Sequence, residues 1–287
     1  MKMLKVGRGG LARLGIESFA EFLGSAMYMY LAIGGADAIS LGATIPGEAN
    51  ALSTARAYLG QAFAFGFSLI ATSWAFFRIS GGMFNPAVAF SGWITGHLGF
   101  IKFASYFLCQ LLGSMLGVAL TRGTTPSIEH IGQVNEVVNG ESIARAFFLE
   151  FFLTSIICFT YHMVVYEKNR STYMMAIPYG ISVFACYLFA YRYTFAALNP
   201  ARAFATALAA EYFPRTHWVF WFGPLSGAIF GAAMHILFRF LDFDQYTAGY
   251  DAENEDQYLR AQAAAAKGGY VMNADRTTGT PVGRTVA

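Results

Sequence analysis

The tripeptide Asn-Pro-Ala occurs twice, as Asn85-Pro86-Ala87 and Asn199-Pro200-Ala201, and the copies lie 114 residues apart. The same offset carries Gly66-Phe67-Ser68-Leu69-Ile70-Ala71 onto Gly180-Ile181-Ser182-Val183-Phe184-Ala185, and Gly113 and Gly117 onto Gly227 and Gly231. One half of the chain therefore repeats the other, and the fold must be assembled from two copies of one unit.

Composition says where that unit lives. The chain is 56% hydrophobic and only 13% charged, against roughly 25% charged residues in soluble domains. It reads as an integral membrane protein. Apolar runs predict six spans, at about 14–36, 57–78, 101–121, 144–166, 173–192 and 217–240, each near the ~20 residues needed to cross hydrocarbon. Three crossings per half is an odd number. The second half must then enter from the opposite side, which makes the repeat an inverted one about an axis in the membrane plane.

Two apolar pieces are too short to span: Asn85 to about Trp93, and Asn199 to about Ala210. Each begins with Asn, a favoured helix N-cap, followed by Pro at the first helical position, where its missing N–H costs nothing. These predict half-helices that enter from opposite faces and meet N-terminus to N-terminus near the midplane. Non-helical backbone at that depth is tolerated only where it is buried in protein or lines a water-filled path. Two helix N-termini bring partial positive charge there, and the two Asn amides offer donors to a passing oxygen. Arg202, on the first turn of the second half-helix, is an expensive intramembrane charge. It either pairs with a buried carboxylate, Glu150 or Glu21, or stands as a fixed cation at a constriction.

The basic cluster Lys2, Lys5, Arg8 and Arg13, with Lys102 and the Lys168/Arg170 loop, places both termini in the cytoplasm. Glu17 and Glu21 inside the first apolar run, and the lack of a small-residue cleavage site, make that run a retained span. Asn169-Arg170-Ser171 matches a glycosylation sequon but falls on the cytoplasmic side in this topology. The three cysteines, Cys109, Cys158 and Cys186, lie inside spans and read as packing residues, with no metal site. The expected organisation is 1–13 as N-terminus, 14–121 as first repeat, 122–143 as extracellular connection, 144–240 as second repeat and 241–287 as cytoplasmic tail. The tail is acidic from Asp242 to Asp256, then Ala-rich over 261–266, and is expected to carry at most one short helix.

The run Ser80-Gly81-Gly82-Met83-Phe84-Asn85-Pro86-Ala87-Val88, with Asn199-Pro200-Ala201-Arg202 and Ala20-Glu21-Phe22, resembles the aquaporin or major intrinsic protein family over roughly 15–240. The resemblance implies an all-α fold of six transmembrane helices plus two half-helices, a homotetramer with one pore per subunit, and passive conduction without cofactor or chemical step. It implies that Glu21 and Glu150 brace the two half-helix loops. It assigns the narrowest point to Phe65, Tyr187, Ala196 and Arg202. Phe65 and Arg202 are water-channel residues there. Tyr187 departs from the usual His or Gly, Ala196 from a frequent Cys, and Phe195 and Ala197 stand where glycines are common. Ala203 replaces the Asp typical of glycerol channels, and Phe220-Trp221 resembles the water-type pattern. The permeant is therefore expected to be water. The alternatives are a broader neutral-solute channel carrying glycerol or hydrogen peroxide, and a poorly conducting membrane-junction protein. No nucleophile–base constellation points to an enzyme, nothing points to nucleic acid, and a coupled transporter would carry midplane charges where this chain has amides.

Overall fold

The computed structural model describes residues 8–43, 51–125, 134–138, 140–167, 171–243, 273–274 and 281–282. The helices are α1 (Arg8–Ala43), α2 (Ala51–Ser80), α3 (Pro86–Ile94), α4 (Phe100–Thr124), α5 (Ile143–Tyr161), α6 (Ala176–Thr194), α7 (Pro200–Ala209) and α8 (Val219–Phe240). The six expected spans correspond to α1, α2, α4, α5, α6 and α8, and the half-helices to α3 and α7. Five of the six are long and apolar enough by composition to cross a bilayer. The exception is α6, where Tyr179, Tyr187, Tyr191, Tyr193 and Arg192 dilute the apolar residues. It starts later than expected because a 3-10 turn, Thr172–Met174, precedes it, while α5 is prolonged by a π-helical turn, His162–Tyr166.

Both half-helices begin as their sequences dictate. Asn85 is extended, with φ −148° and ψ 116°, and its Oδ1 accepts from Ala87 N–H at 2.9 Å. Asn199, with φ −152° and ψ 109°, accepts from Ala201 N–H at 2.9 Å and Arg202 N–H at 3.4 Å. Such caps contribute about 1 kcal/mol each. At the far end of α7, Arg122 donates to the Ala209 carbonyl at 2.6 Å, a cation on a helix C-terminus.

Close packing rests on the repeated glycines. A Cβ on Gly113 would sit 2.1 Å from the Phe22 carbonyl oxygen, and one on Gly227 would sit 2.3 Å from that of Phe151. Those carbonyls belong to the residues that follow Glu21 and Glu150, so the glycines set the depth at which each glutamate enters. Gly66 and Gly180, equivalent under the repeat, face each other where α2 crosses α6: a Cβ on Gly180 would lie 2.7 Å from the Gly66 carbonyl oxygen, and one on Gly66 3.0 Å from that of Gly180. Equivalent residues that touch each other are the mark of a two-fold relation, as an inverted repeat requires.

By contacts the chain divides into Met1–Ala233 and Met234–Ala287. The first unit holds everything considered below. The second carries the end of α8 and, in the tail, a two-residue antiparallel pairing of Asn273 with Val282 and Ala274 with Pro281, where at most a helix was expected. The acidic run beyond Phe243, the Ala-rich stretch, Lys2, Lys5 and most of the sequon lie outside the described residues.

Candidate functional site

Each half-helix is entered through a loop hung from a buried glutamate. Glu21 on α1 accepts from Ser80 Oγ at 2.6 Å and Met83 N–H at 3.2 Å through Oε1, and from Phe84 N–H at 2.9 Å and Gln110 Nε2 at 2.8 Å through Oε2. Glu150 on α5 accepts from Thr194 Oγ1 at 2.6 Å and Ala197 N–H at 3.0 Å, and from Leu198 N–H at 2.7 Å. Ser80, Met83 and Phe84 are the repeat equivalents of Thr194, Ala197 and Leu198. The one donor without a counterpart is Gln110, whose equivalent is Pro224. Both glutamates are fully buried, and saturation of their oxygens by hydrogen bonds is what makes such burial tolerable.

The two loops then bond to each other. Asn85 Nδ2 donates to the Leu198 carbonyl and Asn199 Nδ2 to the Phe84 carbonyl, both at 2.9 Å. The exchange is reciprocal between equivalent residues. Each Oδ1 is spent on its helix cap and one N–H on the opposite loop, which leaves one N–H per amide as a donor. A narrow space adjoins this junction, lined by both asparagines, by Tyr28, Tyr179 and Tyr187, and by an aliphatic wall that includes Leu69 and Ile157.

Of the four positions expected at the narrowest point, three meet side by side. Phe65 and Tyr187 stack with ring centroids 4.2 Å apart, and the Arg202 guanidinium carbon lies 4.7 Å from the Phe65 centroid and 5.6 Å from that of Tyr187. Ala196 belongs to the same packed core. The Tyr187 ring lies in van der Waals contact with Phe65, and nothing passes between the two. Arg202 is fully buried. Among the described residues no carboxylate lies within ion-pair distance of it, which answers the question left by the sequence. Its Nη1 bonds Asn135 Oδ1, while Nε and Nη2 have no partner among the described residues. Those N–H groups are donors for an oxygen that the described residues do not supply.

Asn135 is the residue that sequence reasoning missed. It sits in the connection between the halves and binds both Arg202 and, through Nδ2, the Thr194 carbonyl at 2.9 Å. Tyr28, two helical turns beyond Glu21 on α1, is another; its ring meets Phe65 edge-on at 6.4 Å. A helical spacing of seven from the bracing glutamate was the only available signal. Near the start of α8, Trp221 Nε1 donates to His217 Nε2 at 3.1 Å, and partial burial holds the His217 pKa below its usual value. Trp221 thus packs and bonds locally.

The backbone of the second loop is the more strained. Phe195, Ala196 and Leu198 adopt φ of 54°, 48° and 51°. In the first loop the equivalents are Gly81, Gly82 and Phe84, at 102°, 61° and 49°. Left-handed φ costs a non-glycine residue roughly 1 kcal/mol or more. Of the two positions noted in the sequence as standing where glycines are common, Phe195 is left-handed and Ala197 is not; the second left-handed position, Ala196, is the repeat equivalent of Gly82.

Two half-helices capped by reciprocal asparagines, braced by buried glutamates inside six spans, define a membrane channel. Residues 13–235 match the family described as "Major intrinsic protein", and the chain belongs to that family. Among curated relatives, Aquaporin-1 of Laccaria bicolor is 34% identical over 250 residues, covering 85% of this chain and 79% of that one. Aquaporin-8 of Botryotinia fuckeliana is 32% identical over 250 residues, covering 87% and 76%. The X-ray structure of the aquaglyceroporin from Plasmodium falciparum shares the fold, with a TM-score of 0.63 at 20% identity over 80% of this chain and 99% of that one. The protein is thus an integral membrane channel for water or small solutes and not an enzyme.

Proposed function

We propose that the chain is a passive water channel that excludes protons and ions. The observation that carries this reading is the pair of capped half-helix N-termini joined by the Asn85 and Asn199 exchange, with Arg202 unneutralised beside them. Each N-terminus is equivalent to roughly half a positive charge, and the arginine adds a full one. A cation meets repulsion as well as dehydration. A water held by the remaining asparagine N–H groups turns its own hydrogens outward, which interrupts the wire along which a proton hops. Asn85, Pro86, Ala87, Asn199, Pro200 and Ala201 form the central element of the pore in this reading. Phe65, Tyr187, Ala196 and Arg202 form its selectivity filter, and Glu21 and Glu150 hold both in place. The organisation drawn from the sequence goes with it: two repeats, 14–121 and 144–240, both termini cytoplasmic, a homotetramer, and the plasma membrane.

Stopped-flow light scattering on proteoliposomes tests the reading. Under an impermeant osmotic gradient the protein should shrink vesicles several-fold faster than empty liposomes, with little glycerol entry. Arg202→Val and Asn199→Asp should raise leakage of glycerol and of cations respectively. Comparable glycerol entry by the unmodified protein would replace the reading with a broader neutral-solute channel. A second reading, a poorly conducting protein of the same fold, is favoured by the contact between Phe65 and Tyr187; shrinkage at the rate of empty liposomes would select it.

A further inference from the structure

In the first half-helix loop, five consecutive carbonyl oxygens are each taken by a side chain. Tyr106 Oη donates to Ser80 O at 2.9 Å, Tyr161 Oη to Gly81 O at 2.9 Å, Ser73 Oγ to Gly82 O at 2.9 Å, and Tyr179 Oη to Met83 O at 2.7 Å. Asn199 completes the row on Phe84 O. In the second loop the ends of the row are served likewise, Thr194 O by Asn135 and Leu198 O by Asn85. The carbonyls of Phe195, Ala196 and Ala197 receive no donor from the described residues. One substitution within the repeat accounts for the Ala197 carbonyl, the equivalent of Met83 O: the counterpart of Tyr179 is Phe65, which keeps the ring and lacks the hydroxyl.

We propose that Tyr161 and Tyr179 set the rate of conduction, by holding the Gly81 and Met83 carbonyl oxygens that permeating water would otherwise use. The inference rests on the water-channel reading. Tyr179 lines the narrow space beside the two asparagines, alongside Met83 itself. Tyr161 packs edge-on against Tyr179, with ring centroids 5.1 Å apart, and its hydroxyl reaches so close to the loop that a Cβ on Gly81 would lie 2.9 Å from it. The aliphatic wall gives a passing water few other partners. A water that sheds its bulk neighbours must recover hydrogen bonds from the path, and an acceptor already occupied by a phenol returns one only when that phenol lets go. Conduction through this side is therefore coupled to rotation of the two phenols away from the loop, whereas the second loop presents its three middle carbonyls at no such cost.

The test removes the hydroxyls and keeps the rings. Tyr179→Phe, Tyr161→Phe and the double variant are reconstituted at matched density, and water permeability is measured from 5 to 35 °C beside the unmodified protein. Each single variant should raise permeability roughly fivefold, the factor that one ordinary hydrogen bond is worth, and should lower the apparent activation energy. A merely structural role would lower the rate, or leave the activation energy where it was. Unchanged or reduced permeability in both single variants, with the unmodified protein conducting above background, overturns the inference and leaves the channel reading standing. All proteins at the rate of empty liposomes overturns both. Should Tyr179→Phe fold poorly, Tyr161→Phe and Gly81→Ala, whose added Cβ crowds the Tyr161 hydroxyl off its carbonyl, carry the same expectation of faster flux.

Discussion

Residues 80–85 and residues 194–199 hang from their glutamates by matching bonds, yet the described residues complete the carbonyl row of the first loop and not that of the second. Ser80, Met83 and Phe84 meet Glu21 as Thr194, Ala197 and Leu198 meet Glu150. In the first loop every carbonyl from Ser80 to Phe84 has a side-chain donor, and two of the three left-handed residues are glycines. In the second, three carbonyls lack a donor among the described residues and all three left-handed residues carry side chains. A buried carboxylate needs donors on both oxygens, so the three bonds that each loop makes to its glutamate are kept in both halves. A carbonyl facing a path can take its partner from the path, so the row is where the halves are free to diverge.

The largest effect should come from removing the brace. Glu21→Ala strands Met83 and Phe84 N–H, Ser80 Oγ and Gln110 Nε2, and each buried unsatisfied donor costs about 1–3 kcal/mol. Glu150→Ala strands one donor fewer. Thermal unfolding in detergent should show both variants severely destabilised, Glu21→Ala the more so. Equal losses would mean that Gln110 finds another partner and that the two braces are energetically alike.

A smaller effect separates the residues that serve the equivalent carbonyls Ser80 O and Thr194 O. Tyr106→Phe removes one neutral hydrogen bond, worth about 1 kcal/mol. Asn135→Ala removes the bond to Thr194 O and also the one side-chain acceptor that the buried Arg202 has among the described residues. Its cost should exceed that of Tyr106→Phe by about 1–2 kcal/mol. It should also loosen discrimination between water and glycerol, measured as the ratio of the two permeabilities. An unchanged ratio would show that stacking on Phe65 and Tyr187 suffices to hold the guanidinium.

The spans, the half-helices and the two braces were legible in the sequence because each leaves a repeated or periodic mark: the 114-residue offset, the Asn-Pro start, a carboxylate in an apolar run. Asn135 leaves none. It lies in the connection, where the offset has no meaning, and a single Asn there looks like any turn residue. The tyrosines leave too many: with 16 in the chain, nothing in the order of residues picks out the three whose hydroxyls reach the first loop. For Tyr187 the position was legible and the stacking on Phe65 was not, because the orientation of its ring is a rotamer choice decided by packing across α2 and α6.

The smallest expected effect concerns the strained backbone of the second loop. Phe195 ends α6 at φ 54°, where Gly81 ends α2 in the first repeat. Phe195→Gly relieves a left-handed side chain, about 1 kcal/mol, and makes the unfolded chain more flexible, which returns about 0.5–1 kcal/mol. It also forfeits the edge-on packing of Phe195 on Tyr191, whose ring centroids are 5.4 Å apart. The three contributions nearly cancel, so the melting temperature should shift by only a degree or two. A clear gain in stability would mean that strain dominates at this position and that the side chain is kept for conduction. A clear loss would mean that the ring is a packing element, and that the second loop tolerates its left-handed turn because Phe195 is anchored to α6.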